Sequence, residues 1–511
     1  MSSFNTKKVS AANSVPSSVR RIVNPVADTI NKAGGQAFRL TPQYELAFLT
    51  LTTFLEPEFY RTKTDVVNKV RELILKTEDP IFVAKTAVFA RNVYGMRSIS
   101  HLLAAEIAKG VKGQQWTKHF YDKVVRRVDD AAEILAAYLA LHEKPIPNSL
   151  KKGLALSLGK FDSHELAKYK GNNKGVKLVD LFNIVHPKPN ASQAKAFKQL
   201  VEGNLASTDT WEVELSAAGQ DAKTDKQKQA NKAEAWKKLI DSGKIGYFAL
   251  LRNLRNIVEQ ADDKTVDAAC KLLTDRKRIK NSLVLPFRYM TAQGEIAKLP
   301  GSSRSRKVIS AISEAIEISL DNAPVFTGET LVVLDDSGSM MSGTQAWGAT
   351  WDPSNTKCPA AIGSIFAAVL AKRNNADLML FNSVARYVNY NTHDSVSTIT
   401  DNLRKKFTNG GTDFHEIFKT ANRKYDRIII LSDMQGWIGH HSPQADFKAY
   451  CQKHKAAPKV YSFDLQGLGT IQFPQDGVFC LAGFSDKTLD LMQVLEHDPA
   501  ALLKQIQEIK F

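Results

Sequence analysis

The sequence has 511 residues, 43% of them apolar and 24% charged, a balance that excludes a disordered chain and leaves room for two or more folded domains. Its charge is unevenly spread: residues 1–320 hold 51 Lys and Arg against 33 Asp and Glu, net +18, whereas residues 321–511 hold 18 against 20, net −2. A basic surface attracts a polyanion by Coulomb steering and counterion release, so the first part predicts a nucleic-acid partner; lysines that only aid solubility are the plainer alternative.

The first 25 residues read as a flexible polar segment. The start, MSSFNTKKVSAANSVPSSVRR, lacks the apolar core of a secretory signal, although its Ser-rich, acid-free composition as far as Asp28 leaves an organelle transit peptide as an alternative. No run approaches the ~18 consecutive apolar residues of a membrane span, which argues against a membrane partner. Cys270, Cys358, Cys451 and Cys480 show no C-x-x-C spacing, so neither a zinc site nor a disulfide framework is expected, and a reducing, cytoplasmic setting fits.

From residue 26 to 322 the expectation is an all-α domain. Apolar residues recur at helical spacing in 44–55, 66–76, 81–94 and 131–142. Thr41-Pro42 and Asp79-Pro80 look like helix starts, with a capping oxygen ahead of a proline whose missing N–H costs nothing in a first turn. Segments of ~10–15 residues with short connections predict antiparallel helix pairs stacked as in HEAT-like repeats.

From Ala323-Pro324 to the end, over 323–511, the pattern changes. Apolar, β-branched runs in GETLVVLDDSGSM, 376–381, 425–433, 459–465 and 477–482 alternate with helical stretches at 360–373, 413–424 and 446–454. That alternation predicts a doubly wound α/β domain whose parallel sheet binds ligands at the carboxyl ends of its strands.

At the first such end stands Asp335-Asp336-Ser337-Gly338-Ser339; Gly410-Gly411-Thr412-Asp413 and Leu431-Ser432-Asp433 are loops placed to converge on it. Ser337, Ser339, Thr412, Asp335 and Asp433 form an all-oxygen donor set, which suits a hard divalent cation, Mg²⁺ above others. Read singly, each residue has a plain use in capping a helix or ending a strand. Together they resemble the metal-ion-dependent adhesion site of von Willebrand type A domains. The resemblance implies that Ser337, Ser339 and Thr412 touch the metal, that Asp335 and Asp433 act mainly through bound water, and that a partner carboxylate completes the sphere. Residues 341–357 insert beside the motif and depart from that pattern.

The helical part carries a second resemblance. Leu166-Ala167-Lys168-Tyr169, Val176-Lys177-Leu178-Val179-Asp180-Leu181, His186-Pro187-Lys188-Pro189, Asp209-Thr210-Trp211-Glu212-Val213 with Leu215-Ser216-Ala217, Leu250-Leu251-Arg252-Asn253-Leu254 and Leu285-Pro286-Phe287-Arg288 are similar, in order, to blocks of the Ro autoantigen (TROVE-module) family. The resemblance implies a ring of HEAT-like helical repeats closed by a type A domain. Such a ring holds Y RNA or Y-like RNA on its basic outer surface and single-stranded 3′ ends of misfolded non-coding RNA in its hole. It also implies a monomeric ribonucleoprotein component for RNA quality control or processing, with an exoribonuclease or other protein as a further partner.

From the residues themselves, Lys168, Lys170, Lys174, Lys177, His186 and Lys188 supply phosphate donors within one region, and Tyr169 can stack on a base or simply pack. Arg252 and Asn253 either face RNA or bond neighbouring carbonyls, and Arg276-Lys277-Arg278-Ile279-Lys280 is read as a solvated face before a phosphate contact. No P-loop, H-E-x-x-H or G-x-S-x-G occurs, so the chain is expected to be non-catalytic. The rivals are a metal-assisted ribonuclease, and a metal-dependent protein-binding module with the helices as scaffold.

Overall fold

The computed structural model describes residues 29–31, 33–39, 41–52, 63–142, 144–169, 175–206, 215, 218, 224–243, 245–282, 284, 286–341, 358–439, 443–465, 470–472, 478–481, 492, 495 and 501–511; the polar segment 1–25 lies outside them. Two short strands come first, β1 (Thr29–Ile30) and β2 (Gln36–Arg39). The helices that follow are α1 (Pro42–Thr52), α2 (Lys63–Thr77), α3 (Pro80–Asn92), α4 (Ser98–Glu106), α5 (Thr117–Val124), α6 (Val128–Leu141), α7 (Asn148–Leu158) and α8 (Ser163–Tyr169). They continue as α9 (Leu178–Val185), α10 (Ala194–Val201), α11 (Asp225–Asp241), α12 (Tyr247–Gln260), α13 (Asp263–Leu273), α14 (Arg276–Ser282), α15 (Pro286–Ala297) and α16 (Ser303–Ser319).

Local chemistry sets many of these boundaries. The Asp79 carboxylate accepts from the N–H groups of Ile81 and Phe82 at 3.0 Å, starting α3 at its proline as expected. Thr41 behaves otherwise. Its hydroxyl is buried and caps nothing among the described residues, and α1 begins through the Thr41 carbonyl, which accepts from Glu45 N–H at 2.8 Å. Each helix packs mainly on its next or next-but-one neighbour, as α4 does on α3 and α6, and α7 on α5 and α9. That is the stacking of a helical solenoid.

The rest is β3 (Thr330–Asp335), α17 (Gly338–Met341), α18 (Pro359–Asn374), β4 (Asp377–Phe381), β5 (Ala385–Tyr387), α19 (Val396–Arg404), α20 (His415–Thr420), β6 (Arg427–Ser432), α21 (Gln444–His454), β7 (Lys459–Asp464), β8 (Thr470–Ile471), β9 (Val478–Leu481) and α22 (Ala501–Gln507). Six strands form one sheet in the order β5-β4-β3-β6-β7-β9, parallel except for β5, which hairpins antiparallel onto β4 at the sheet edge. Every residue of β3 and β6 is buried, because helices cover both faces, and this is why those strands read as unbroken apolar runs. Helix α20 is shorter than the stretch 413–424 expected of it: Tyr450 holds the chain beyond it, accepting from Tyr425 N–H and donating to the Arg423 carbonyl, both at 3.0 Å.

The sheet unit touches both ends of the helical array. At one end α19 and α18 pack on α16 and α15, and Val332 and Leu334 belong to the same apolar core as the helices. At the other, α22 packs on α3 and α1, Phe511 stacks on Trp116 at 5.4 Å, and β8 pairs with β2. A solenoid met by one unit at both termini is closed. Among the described residues no helix is long and apolar enough to cross a membrane.

Candidate functional site

The loops after β3, before α20 and after β6 meet at the carboxyl end of the sheet. Gly338 N–H donates to the Gly410 carbonyl at 3.0 Å, which ties the first loop to the second, and Trp437 N–H donates to the Thr412 carbonyl at 3.2 Å, which ties the second to the third. A Cβ on Gly338 would lie 2.9 Å from the Asn409 side-chain oxygen, which would have to move aside. Asp335, Ser337, Ser339, Thr412 and Asp433 are all buried within these loops.

The Ser337 and Ser339 hydroxyls lie 3.4 Å apart. The Asp335 carboxylate accepts from Ser337 N–H at 2.9 Å and from the Ser432 hydroxyl at 2.6 Å, two neutral donors. Asp433 accepts from Gln435 N–H at 3.1 Å. Burial first, and the charge of Asp433 second, push the Asp335 carboxyl above its ordinary range; burial does the same to Asp433. Two buried carboxylates that repel, ringed by hydroxyls, are a donor set that a divalent cation would relieve, so the residues fit a hard metal ion. Among the described residues no group of three or more His, Cys, Asp or Glu side chains is placed to hold a metal ion, which leaves hydroxyls as the remaining donors.

Asp336, adjacent in sequence, has a different role. Arg386 reaches it from β5 at 2.5 Å, Asn382 donates to it at 3.1 Å and Thr408 N–H at 2.9 Å. It clamps the loop before α20 against the sheet edge. A single arginine on a three-residue strand gave no signal of that role in the sequence. Residues 342–357 of the insertion lie outside the described residues.

The proposed phosphate donors are less concentrated. Lys168, Lys177, His186 and Lys188 are exposed, while Lys170 and Lys174 lie outside the described residues. Lys177 precedes α9 and His186 ends it in a left-handed conformation, φ 48°, so these two side chains stand at opposite ends of one helix, separated by roughly 13 Å of rise at 1.5 Å per residue. Tyr169 packs: the Arg127 guanidinium lies 4.9 Å over its ring, with the Lys168 ammonium at 5.6 Å.

On α12 the two alternatives for Leu251-Arg252-Asn253 separate. Asn253 is buried and donates to the Ala249 carbonyl at 2.9 Å, whereas Arg252 is exposed. Arg288 of α15 is its neighbour. The guanidinium of Arg288 lies 5.8 Å over the ring of Phe248, which is 42% exposed one turn before Arg252, and partial burial together with the charge of Arg252 lowers its pKa. Two adjacent guanidiniums beside an exposed aromatic ring suit a phosphate and a base, a pairing that no single sequence block displays. In the run at 276–280, Arg276, Lys277 and Lys280 are exposed, as a solvated face requires, with Arg276 pairing with Asp321 at 2.6 Å, while Arg278 donates to the Ile245 carbonyl at 3.1 Å and Ile279 is buried.

Comparison with known proteins places this geometry. The family model described as "TROVE domain" matches residues 204–429, across the junction of helices and sheet. Telomerase protein component 1 of Mus musculus is 21% identical over 318 residues, 45% of this chain and 12% of that protein. RNA-binding protein RO60 of Deinococcus radiodurans is 27% identical over 229 residues, 42% of each chain, and its namesake from Caenorhabditis elegans is 25% identical over 231 residues, 43% of this chain and 34% of that one. The matched part thus spans less than half of these relatives. The crystal structure of the Deinococcus radiodurans Ro (Rsr) protein superposes over 91% of this chain and 99% of its own, with a TM-score of 0.59 at 21% identity, the same overall fold.

Proposed function

We propose that this chain is a non-catalytic RNA-binding protein of Ro type, a reading supported by the TROVE-domain model that matches residues 204–429. The observation that carries this reading is the net +18 of residues 1–320, displayed in part by exposed cations on successive helices. Stems of Y or Y-like small non-coding RNA contact the outer surface at Lys168, Lys177, His186 and Lys188, with Lys170 and Lys174 from the same stretch. Single-stranded 3′ ends of misfolded RNA enter the closed ring past Arg252, Arg288 and Phe248. The setting is cytoplasmic, the protein a monomer, and the role RNA quality control or processing. Relatives named as RNA-binding proteins support the reading.

A second activity is favoured by the buried Asp335–Asp433 pair. A von Willebrand type A unit holding Mg²⁺ through Ser337, Ser339, Thr412, Asp335 and Asp433 would bind a protein carboxylate, such as one on an exoribonuclease. Competition between tailed and blunt versions of one hairpin RNA tests the first activity, with tighter binding of the tailed form expected and equal affinity refuting entry of the strand into the ring. Incubation of labelled RNA with protein and Mg²⁺ tests the absence of catalysis; cleavage lost in Asp335→Ala would instead establish a metal-assisted ribonuclease.

A further inference from the structure

Helices α5 and α7 pack side by side, and the segment leading into α5 forms with the start of α7 an open cleft of about 680 Å³. Lys112, Lys118 and Lys152 line it with Trp116, Asn148 and Ser149, and no carboxylate is among the described lining residues. All three lysines are exposed, and none has an ion-pair partner among the described residues. Nearby Lys160, by contrast, pairs with Asp122 at 3.1 Å. Three uncompensated ammonium groups around one concavity repel each other and concentrate a positive field there.

The backbone adds to that field. The residues capping α5 and α7, Trp116 and Pro147, supply no side-chain hydrogen bond to their helices. In α7 the first backbone bond is Lys151 N–H to the Pro147 carbonyl at 3.1 Å, and the N–H groups of Asn148, Ser149 and Leu150 have no acceptor among the described residues. The Ser149 hydroxyl oxygen in the cleft wall is itself buried without a hydrogen-bond partner. Unsatisfied donors at a helix start carry partial positive charge directed at whatever fills the space beyond them.

We propose that this cleft is a separate RNA-backbone site, in which phosphate oxygens are held by Lys112, Lys118 and Lys152 and by the donors at the start of α7. It rests on the RNA-binding reading but not on the residues from Lys168 to Lys188 or on Arg252. The volume accommodates more than one phosphate group, and lysine ammoniums with backbone N–H groups read charge without base sequence. Binding here is therefore expected for any RNA that reaches the cleft.

The test is the salt dependence of hairpin binding by the full chain, for wild type and for Lys118→Gln with Lys152→Gln. Both lysines are exposed and unpaired, so thermal unfolding of the variant should match wild type. The log–log slope should become shallower by about 0.7 to 0.9 for each phosphate that is no longer neutralised, about 1.4 to 1.8 for two, with weaker binding at low salt. A variant that keeps the wild-type slope and affinity, while Lys168→Gln with Lys188→Gln loses affinity, overturns the cleft site and leaves the RNA-binding reading standing. If wild type itself binds no RNA, both fall.

Discussion

The Asn31 side-chain amide donates to the Gly436 carbonyl at 2.6 Å, joining residues 405 positions apart. The same side chain accepts from Ala33 N–H at 3.0 Å and Gly35 N–H at 2.9 Å, so one asparagine shapes the β1–β2 turn and fastens it to the loop after β6. A Cβ at Gly35 would sit 1.9 Å from the Gly436 oxygen, inside any tolerable contact. Gly35→Ala should therefore release β2 from β8, and Asn31→Ala should weaken the same junction by about 1–3 kcal/mol through the buried carbonyl left unpaired. Hydrogen exchange reads both: faster exchange at 29–39 and 470–472, with the helical core unchanged, is expected. Unaltered protection there in Gly35→Ala would show that this junction does not hold the ring closed.

The sheet was legible in the sequence where burial on both faces demands continuous apolar runs, as in β3, β6 and β7, and the loops proposed to hold a metal were legible as loops because they end those runs. Strand β5 was not, since three half-buried residues carry no period and exist only by pairing with β4. Helix α19 carried a signal that was passed over: Val396, Ile399 and Leu403 recur at helical spacing behind Ser395, whose hydroxyl accepts from Thr398 N–H at 3.0 Å. Relations such as Asn31 with Gly436, or Arg252 with Arg288, join distant segments that share no local pattern. The mixed fate of Leu251-Arg252-Asn253 follows from helix geometry. Adjacent residues point about 100° apart, so Asn253 packs while Arg252 faces solvent.

Metal affinity should depend on residues from all three loops. Asp335→Ala and Thr412→Ala should each weaken Mg²⁺ binding by roughly 10- to 100-fold, the scale typical of losing a group that orients a metal's inner sphere. Asp336→Asn should act differently, loosening the loop at 408–410 because it weakens the bond with Arg386. Calorimetric titration of the full chain with Mg²⁺ checks the first pair, and undiminished affinity in both would remove the metal site.

Stability should pass through a plateau in mildly acidic solution. Asp130 is fully buried, with Arg91 at 2.8 Å, Arg97 at 2.9 Å and His101 at 3.3 Å; Glu133 lies 3.1 Å from the other His101 nitrogen, and Arg97 also pairs with Asp129 at 2.6 Å. Burial opposes charge on Asp130, but His101, Arg91 and the Arg126 N–H outweigh it and hold the carboxyl far below its usual range. Its contribution is therefore present above the unfolded carboxylate value of about 3.9 and lost as pH falls through the depressed folded value. For His101 burial again opposes charge, yet Asp130 and Glu133 prevail and raise it, so its contribution is whole below about 6.5 and lost as pH rises through the folded value. Asp130→Ala should cost about 3–5 kcal/mol by stranding buried cations. In His101→Gln the alkaline decline, taken as the difference from wild type in urea unfolding across pH, should vanish; an unchanged profile would mean that the imidazole is neutral throughout.

RNA with a free 3′ tail should depend on α12 and α15 in a way that blunt RNA does not. Burial first, and the charge of Arg252 second, lower the pKa of Arg288, and a phosphate bound beside the two guanidiniums would ease that repulsion. Phe248 offers a partly open ring beside them, and a base stacked on an aromatic ring contributes about 1–3 kcal/mol, irrespective of sequence. A duplex keeps its bases stacked internally and cannot use that ring. Arg252→Ala and Phe248→Ala should therefore abolish most of the preference for a tailed hairpin over its blunt counterpart while leaving blunt binding near wild type. Lys168→Ala with His186→Ala, on a different helix pair, should weaken both RNAs alike. Arg288→Ala is the sharper case: if the two guanidiniums act as one phosphate site, the double variant with Arg252→Ala should lose little more than either single variant, because residues sharing one ligand are not additive. A competition assay of these variants against both RNAs decides it, and fully additive losses from Arg252 and Arg288 would mean that they hold the strand separately.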